Sequence, residues 1–309
     1  MSLSNIVVIP GSSNFPLSQK IAHLLGADLA EIDISKFPNG EKRIWIKSSL
    51  QNKTAIILQS FSEPVDEHII ELALISDACK HLGASTRLAV IPWMGYSPQD
   101  KEFRKGEPIS IHVIAKLIEA IAVDQVVTID IHSRDSLQYF KIPITEISAL
   151  PVFTQHFRTL DLTDHAVAAL DKGAYQDSKL LAEKLDLPLI VFDKHRDRAT
   201  GEVELKHVSG DVTHKHIITI DDFVSTGSTR ITASHILKSM GAVSYTDCIT
   251  HALLAADASQ RLQASDIDSI IATDTYLVPD TKLFPKLQIV SVAHHLSQTI
   301  KSLIDASNH

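Results

Sequence analysis

Short runs of β-branched and other apolar residues alternate with amphipathic segments along the whole chain, and this rhythm constrains the fold more than any other feature. Such runs, separated by helical patterns, are typical of parallel sheets buried on both faces. The predicted strands are Ile6–Pro10, Ala55–Gln59, Leu88–Pro92, Val126–Ile131, Ala166–Leu170, Leu189–Asp193, Ile217–Asp221, Ser269–Thr273 and Ile289–Val292. The predicted helices are Leu17–Leu25, Glu67–Leu82, Ile111–Ile121, Ser178–Leu185, Ile231–Met240 and His295–Ala306. The sequence therefore predicts the α/β class, with right-handed crossover connections.

The length of the chain and the persistence of this rhythm predict two domains. The chain has 309 residues, which is enough for two domains that each bury a core of their own. The alternation continues through both halves, which suggests a duplicated domain although the residues show no strong repeat. Two prolines mark the segment 143–157, so we predict domains at residues 1–147 and 148–309. The last predicted helix is a candidate to pack on the first domain.

Composition and charge exclude several classes of function. The formal net charge is −8, from 29 basic and 37 acidic residues, which argues against a nucleic-acid-binding protein. No apolar run is long enough to span a bilayer, and the start of the chain, MSLSNIVVIPGSS, predicts a first strand rather than a signal peptide. Only two cysteines occur, without metal-type spacing, which favours a reducing cytoplasmic setting. We therefore expect small-molecule substrates and no nucleic-acid or membrane partner.

The stretch IITIDDFVSTGSTR, residues 217–230, carries the strongest chemical signal. Asp221 and Asp222 end a predicted strand, and a hydroxyl-rich turn with one glycine leads into a predicted helix. Backbone N–H groups at a helix N-terminus attract phosphate, and hydroxyls add donors, while the carboxylates are suited to sugar hydroxyls or Mg²⁺. The stretch therefore predicts a sugar-phosphate site. A plain strand followed by a helix that Ser225 or Thr226 caps stays open as the alternative.

The same stretch resembles the phosphoribosyl pyrophosphate loop that type I phosphoribosyltransferases share with ribose-phosphate pyrophosphokinases (PRPP synthetases). Further segments resemble the pyrophosphokinases in particular. They are Phe37–Glu41, Ile91–Ser110, Thr128–His132, Asp171–Gly173 and Lys194–Arg196. Because the similarity runs in matching order from about Ile6 to Val292, the chain is identified as a divergent member of this family.

This resemblance implies a fold, a reaction and a set of site residues. The fold would be two similar domains of the type I phosphoribosyltransferase kind, each a mostly parallel sheet flanked by helices. In the reaction, ribose 5-phosphate would receive the pyrophosphoryl group of ATP with Mg²⁺ as cofactor. The implied ATP-binding residues are Phe37, Asn39, Glu41, Gln99, Asp100 and His132, and the implied metal ligands are His132 and Asp171. The implied catalytic residues are Lys194 and Arg196, and the implied ribose 5-phosphate site is Asp221, Asp222, Ser225, Thr226, Gly227, Ser228 and Thr229.

The resemblance also implies an assembly. In the family, the segment that corresponds to Phe37–Glu41 reaches ATP on a neighbouring subunit. We therefore expect a homo-oligomer built from dimers, for which the family precedent includes hexamers.

Three departures from the family pattern keep two other functions open. Pro98 stands where the family usually has an arginine, Ser225 replaces the most common aspartate, and the segment LDKGAYQDS lacks the usual proline and glycine pair around Asp171. The alternatives are a catalytically weak or inactive regulatory subunit and a phosphoribosyltransferase. The retained Lys194 and Arg196 argue against the first, and the long first domain argues against the second.

Overall fold

The computed structural model describes residues 5–196 and 203–306, except for the side chains of 193–196 and 203–208. The chain divides into two compact units. The first unit comprises Met1–Ser148, Thr275–Leu277 and Ser291–His309, and the second comprises Ala149–Asp274 and Val278–Val290. No helix among the described residues is both long enough and apolar enough to cross a membrane.

Within the described residues, the first unit contains a six-stranded parallel sheet in the order β2-β1-β5-β6-β7-β8. Numbered along the chain, its strands are β1 Ile6–Pro10, β2 Asp28–Leu29, β5 Thr54–Leu58, β6 Thr86–Ile91, β7 Gln125–Ile129 and β8 Ile144–Ile147. A separate antiparallel hairpin consists of β3 Ile32–Lys36 and β4 Lys42–Ile46. The helices are α1 Phe15–Leu25, α2 Val65–His81, α3 Ser110–Ala120 and α8 Ala293–Ala306, and a short 3-10 helix spans Arg134–Tyr139.

Within the described residues, the second unit contains a seven-stranded sheet in the order β11-β10-β9-β12-β13-β14-β15, parallel except for the pairing of β10 with β11. Its strands are β9 His165–Ala169, β10 Leu189–Arg196, β11 Val203–Ser209, β12 His216–Val224, β13 Ser244–Ala252, β14 Ser269–Thr273 and β15 Leu287–Val290. Its helices are α4 Leu150–Phe157, α5 Tyr175–Leu185, α6 Ser228–Ser239 and α7 Ala258–Ala264, with a 3-10 helix at Asp280–Lys282.

Each unit buries its own core, as the Val/Ile-rich runs predict. In the first unit, Ile9 of β1, Ile57 of β5 and Leu72 of α2 have no exposed surface and belong to one apolar cluster. In the second unit, Ile217 of β12 and Leu237 of α6 do the same. Burial of this kind contributes roughly 25 cal/mol per Å² of apolar surface, which is the main term that stabilises both sheets.

The predicted α/β class is confirmed, and every predicted helix and strand is present: the strands Ile6–Pro10 and Ser269–Thr273 have the predicted ends, and the other elements have shifted ends. Two shifts matter for the site, because β12 runs on from Asp221 to Val224 and β10 runs on from Asp193 to Arg196. The sequence analysis missed β2, β3, β4, β8, β11, β13, α4 and α7. The omission of β13 has a clear cause, because the buried polar residues Asp247 and Thr250 interrupt its apolar run.

Both sheets have a switch point, which is a strand whose connections leave toward opposite sides. In the first unit β1 lies between β2 and β5, and in the second unit β9 lies between β10 and β12. In open α/β sheets, ligands bind at the carboxyl ends of the strands beside such a point. From the sheet order of the second unit, we therefore expect a ligand site at the residues that follow β9 and at the end of β12.

Candidate functional site

The residues that follow β9 form a tight turn into α5. Asp171 lies two residues beyond the strand, and its Oδ1 accepts the backbone N–H of Ala174 at 3.0 Å. β9 and β12 are neighbouring parallel strands, with Val167 opposite Ile218. The carboxyl ends of the two strands therefore share one edge of the sheet, and the switch point brings Asp171 to the same edge as the acid pair.

The acid pair lies within β12 and not after it. Side chains alternate between the two faces of a strand, so Asp221 and Asp222 point to opposite faces of the sheet. Asp221 Oδ1 accepts the N–H of Asp222 at 3.0 Å, and Asp222 Oδ1 accepts the N–H of Phe223 at 2.8 Å. The two carboxylates are therefore in different surroundings, although the sequence presents them as an equivalent pair.

The hydroxyl-rich loop joins β12 to α6, and the helix begins at Ser228, three residues before its predicted start. The N-cap residue is Gly227, with a φ of 74°, and no side chain caps the helix. The capping role considered for Ser225 or Thr226 is therefore wrong. A Cβ on Gly227 would lie 2.8 Å from Cδ2 of Leu262, so the position requires glycine for both its backbone angle and its space. Helix N-terminal N–H groups that no side chain caps are suited to an anionic ligand.

Arg261 of α7 contacts this loop, and no sequence pattern predicts this contact. Its guanidinium donates to the carbonyl of Thr226 at 3.3 Å and to Oγ of Ser228 at 3.0 Å. Thr226 Oγ1 and Ser228 Oγ are themselves 3.3 Å apart. A positive charge and three hydroxyl-bearing residues of the loop, including Ser225, thus surround the start of α6, and this setting favours a phosphate group.

A buried ionic cluster lies beneath the acid pair. Arg230 is only 4% exposed, and its guanidinium pairs with Asp221 and also with Asp247, which is fully buried, at 3.5 Å. Thr219 Oγ1 lies 2.5 Å from Asp247 Oδ1 and 3.1 Å from the hydroxyl of the fully buried Tyr245. The structure thus connects β12, β13 and α6 through a charged network.

The burial of this network changes its proton affinities. Burial raises the pKa of Asp247 above its usual range, against the opposing charge of Arg230 and the hydrogen bond from Thr219. Burial lowers the pKa of Arg230, but its interactions with Asp247, Tyr245 and Asp171 act in the opposite direction and outweigh it, so the guanidinium stays protonated.

In the first unit, two groups of candidate nucleotide residues follow adjacent strands. Gln99 and Asp100 lie in the loop after β6, where Gln99 Oε1 accepts the Ser110 hydroxyl at 2.5 Å. The exposed His132 follows β7, and β6 and β7 are neighbouring parallel strands. The two loops therefore leave the same edge of the sheet.

The remaining candidates of the first unit form the turn of the β3–β4 hairpin. Phe37, Asn39 and Glu41 are all exposed, and the Phe37 ring is 47% accessible. The turn is closed by the Phe37 N–H bond to the Glu41 carbonyl at 2.8 Å and by the Glu41 N–H bond to Asn39 Oδ1 at 3.2 Å. An ordered, solvent-facing aromatic ring is available for contact with a ligand or another chain.

A buried ion pair fastens this hairpin to the first unit. Lys42 of β4 pairs with Glu71 of α2, whose side chain has no exposed surface. The Glu71 carboxylate also accepts the N–H and the hydroxyl of Ser12 at 2.6 and 2.7 Å. Ser12 follows β1, so a carboxylate of the protein itself occupies the loop at the switch point of the first sheet. No sequence pattern predicts this pair, because its members are 29 residues apart in the chain.

Lys194 and Arg196 lie in the last residues of β10, and their side chains lie outside the described part of the structure. Their backbone pairs with β11, with Lys194 opposite Leu205 and Arg196 opposite Val203. The last pairing of β10 with β9 joins Val191 to Ala169. β10 therefore continues past the end of β9 by five residues, beyond the edge at which Asp171 lies.

The acidic residues of the second unit are suited to hold Mg²⁺ together with a substrate. In the described residues, no group of three or more His, Cys, Asp or Glu side chains is arranged to hold a metal by itself. Mg²⁺ at phosphoryl-transfer sites is commonly held by one or two carboxylates together with substrate phosphates. The carboxylates of Asp171 and Asp222 match that requirement in their chemistry.

Comparison with known proteins identifies similar chains. Residues 6–121 match the model of the N-terminal domain of ribose phosphate pyrophosphokinase, and residues 199–308 match that of the phosphoribosyl synthetase-associated domain. The ribose-phosphate pyrophosphokinases of Bacillus cereus and Corynebacterium ammoniagenes are each 33% identical over 297 residues, which cover 96% of this chain and 93% of theirs. The crystal structure of phosphoribosylpyrophosphate synthetase from Mycobacterium smegmatis superposes with a TM-score of 0.90 at 28% identity, covering 98% of this chain and all of that one.

Proposed function

The chain belongs to the ribose-phosphate pyrophosphokinase family, and we propose that it binds ribose 5-phosphate in the second unit and ATP through residues of the first. In the proposed pyrophosphokinase reaction, the anomeric hydroxyl of ribose 5-phosphate attacks the β-phosphorus of ATP. The bond from that phosphorus to the oxygen bridging to the α-phosphate breaks, and phosphoribosyl pyrophosphate and AMP are released. The observation that carries the proposal is that the acid pair and the uncapped, hydroxyl-rich loop lie together at the switch point of the second sheet.

The proposed ribose 5-phosphate site follows from the geometry of β12 and α6. The phosphate takes the N–H groups at the start of α6 and the hydroxyls of Ser225, Thr226, Ser228 and Thr229, and Gly227 lets the backbone come close. The hydroxyls of the ribose ring donate to the acid pair, since an ionised carboxylate is a strong acceptor with about four lone-pair sites, so Asp221 can accept from the sugar as well as from its protein donors. The loop thus binds one end of the sugar phosphate and the strand binds the other.

Lys194 and Arg196 are the proposed catalytic cations. The reaction builds charge on the transferred phosphate oxygens, and an acidic protein must supply positive charge at that place. The extension of β10 beyond β9 supports the proposal, because it carries both residues past the edge of the sheet. Arg196 can bind two oxygens at once, whereas Lys194 acts as a compact point charge.

We propose Mg²⁺ as the cofactor, with His132 and Asp171 as its candidate ligands. When bound with ATP, Mg²⁺ neutralises phosphate charge and orients the phosphate chain. The part of the protein is to present an imidazole nitrogen of His132 and the carboxylate of Asp171, and the hydrogen bond from the Ala174 N–H orients that carboxylate.

The remaining first-unit candidates, Phe37, Asn39, Glu41, Gln99 and Asp100, are proposed to bind the nucleotide. The exposed hairpin turn suits the proposal that Phe37–Glu41 reaches the ATP of a neighbouring subunit, and this requires a homo-oligomer. An apolar groove of about 350 Å³ between α2 and α3 supports association. Ile70, Val113 and Leu117 line it together and are 45–55% exposed, and adjoining exposed apolar side chains are typical of an interaction surface. Light scattering that finds a fully active monomer would contradict the assembly.

A reducing compartment such as the cytoplasm is the proposed location. Cys79 and Cys248 are both buried as free thiols in the part of the chain that the structure describes. Burial raises the pKa of Cys79 to about 12, so this thiol stays protonated and inert.

Product analysis tests the proposed function. Purified protein is incubated with ATP, Mg²⁺ and ribose 5-phosphate, and the nucleotides are separated. We expect AMP and phosphoribosyl pyrophosphate in equal amounts. ADP as the sole nucleotide product would identify an ordinary kinase, and no turnover combined with tight binding to an active pyrophosphokinase would identify a regulatory subunit.

Substitutions then test the residue assignments. Lys194→Ala and Arg196→Ala should each lower kcat by about 100-fold or more, by analogy with removal of other anion-stabilising donors, while circular dichroism stays that of the wild type. Near-normal kcat in either variant would exclude that residue from catalysis.

Asp222→Asn should raise the KM for ribose 5-phosphate and the Mg²⁺ requirement together. Unchanged values of both would refute the role of Asp222 in binding the sugar.

A further inference from the structure

Arg230 is a buried cation with no assigned role in the proposed reaction. It lies in the first turn of α6, directly after the loop, and its side chain reaches back under β12 and β13. It pairs with Asp221 and Asp247 and interacts with the charge of Asp171. Two carboxylates from the neighbouring strands β12 and β13 therefore share one guanidinium.

This arrangement makes the two acids of the pair unequal. Asp221 Oδ2 pairs with Arg230, while its Oδ1 accepts the N–H of Asp222. Asp222 points to the opposite face of the strand. Both oxygens of Asp221 are thus engaged by protein donors, one of which is a full positive charge.

We propose that Arg230, held in place by Asp247, is a positioning residue of the sugar-phosphate site that fixes the Asp221 carboxylate and offsets its charge. This inference rests on the proposed function, since it assigns a role at the same ribose 5-phosphate site. It explains why an acidic cluster can lie beside a loop suited to phosphate. Without Arg230, the negative charges of Asp171, Asp221 and Asp247 would act together on an incoming phosphate dianion.

The geometry of its guanidinium explains how Arg230 pairs with Asp247 and with Asp221 together. A guanidinium has five donors in a fixed planar fork, so it can pair with two carboxylates at once, and a lysine cannot reproduce that geometry. Thr219 fixes the other oxygen of Asp247 at 2.5 Å. Thr219 of β12 and the position of Asp247 on β13 therefore anchor the buried end of the network, and the partly exposed Asp221 is its end at the site.

A set of four variants separates positioning from mere stability. Arg230→Met removes the cation, Asp247→Asn removes the buried carboxylate charge, and the double variant removes both. Lys215→Met is the matched control, because it also removes one cation from an ion pair of the second unit, at 3.3 Å from Asp164 and at the other end of β12. The readouts are thermal unfolding, kcat, and the KM values for ribose 5-phosphate and ATP.

Arg230→Met should raise the KM for ribose 5-phosphate about tenfold, which corresponds to about 1.4 kcal/mol, with little change in the KM for ATP. It should also lower the unfolding temperature, since the loss of one member leaves buried charge unpaired. The double variant should recover the unfolding temperature, because no unpaired buried charge remains, but should keep the raised KM for ribose 5-phosphate. Lys215→Met should match the wild type in both KM values.

The double variant decides the matter even where Arg230→Met fails to fold. If the double variant regains both the unfolding temperature and the wild-type KM for ribose 5-phosphate, the network is structural only and the proposal is overturned. A wild-type KM in a folded Arg230→Met variant overturns it as well. If the wild-type protein forms no AMP, the proposed function fails separately, and calorimetric titration of the same variants with ribose 5-phosphate still tests the role of Arg230.

Discussion

Replacement of Glu71 by glutamine should destabilise the first unit more than any other single charge change at its hairpin. The carboxylate has no exposed surface and accepts hydrogen bonds from the N–H and the hydroxyl of Ser12, at 2.6 and 2.7 Å, in addition to its pairing with Lys42. Removal of one member of a buried, hydrogen-bonded ion pair typically costs about 3–5 kcal/mol. Because the side chain is fully buried, solvent does not screen this loss, so we expect a value in that range.

The chain provides a probe that reports on the first unit alone. Its only two tryptophans are Trp45 and Trp93, and both lie in the first unit. Tryptophan fluorescence during urea unfolding therefore follows the first unit whether or not the second unfolds with it. With a denaturant slope of about 1–3 kcal/mol per M, the expected loss moves the urea midpoint down by at least about 1 M.

Two further variants make the measurement decisive. Glu31→Gln breaks the exposed pair with Lys47 in the same unit and should leave the urea midpoint unchanged, since exposed pairs contribute little. Lys42→Met combined with Glu71→Leu should recover much of the loss, because no buried charge is left unpaired. If Glu71→Gln shifts the midpoint no more than Glu31→Gln does, the buried pair does not fasten the hairpin and the reasoning is refuted.

Three further predictions address the site, the pH dependence and the nucleotide. Gly227→Ala should weaken ribose 5-phosphate binding, measured by calorimetry, because a Cβ there would lie 2.8 Å from Leu262; Gly106→Ala, which has a positive φ of 97° but no neighbour within 4 Å, is the control that should bind normally. Burial lowers the pKa of His68 below 6.5, so the folded first unit favours neutral imidazole. Its stability, followed by tryptophan fluorescence, should be fully present above about pH 6.5 and fall at lower pH, and His68→Asn should flatten that dependence; an equal slope in both proteins would refute this cause. Pro98→Arg should lower the KM for ATP by supplying the positive charge usual in the family, and an unchanged KM would show that another group already serves the nucleotide.

The sequence predicted the strand, the loop and the helix that form the candidate site of the second unit because their signals are local. The strand, the acid pair, the glycine and the hydroxyls all lie within residues 217–230, and short-range backbone rules connect them. The predicted end of the strand β12 was wrong, and the cause is a contact with a distant partner strand. β12 pairs with β13 as far as Val224, and this partner strand was not predicted because Asp247 interrupts its apolar pattern.

The residues that the sequence analysis missed all depend on distant contacts. Arg261 braces a loop that lies 33 residues earlier in the chain at Ser228, and Lys42 pairs with Glu71 across 29 residues. Pairs of this kind leave no periodic signal, because their members sit on different elements whose packing sets the distance. The same holds for Asp171, which the order of the strands, and not spacing along the chain, brings to the edge of the sheet at which the acid pair lies.

The sequence by itself therefore determined the α/β class, the alternation of helices and strands, and the loop that is suited to a sugar phosphate, because apolar periodicity and short motifs depend on neighbouring residues. Only the tertiary structure decided that Asp221 faces a buried guanidinium while Asp222 faces the other side of the sheet. The reason is that the alternation of a strand sets which face a side chain occupies, but the element packed on that face decides what charge it meets.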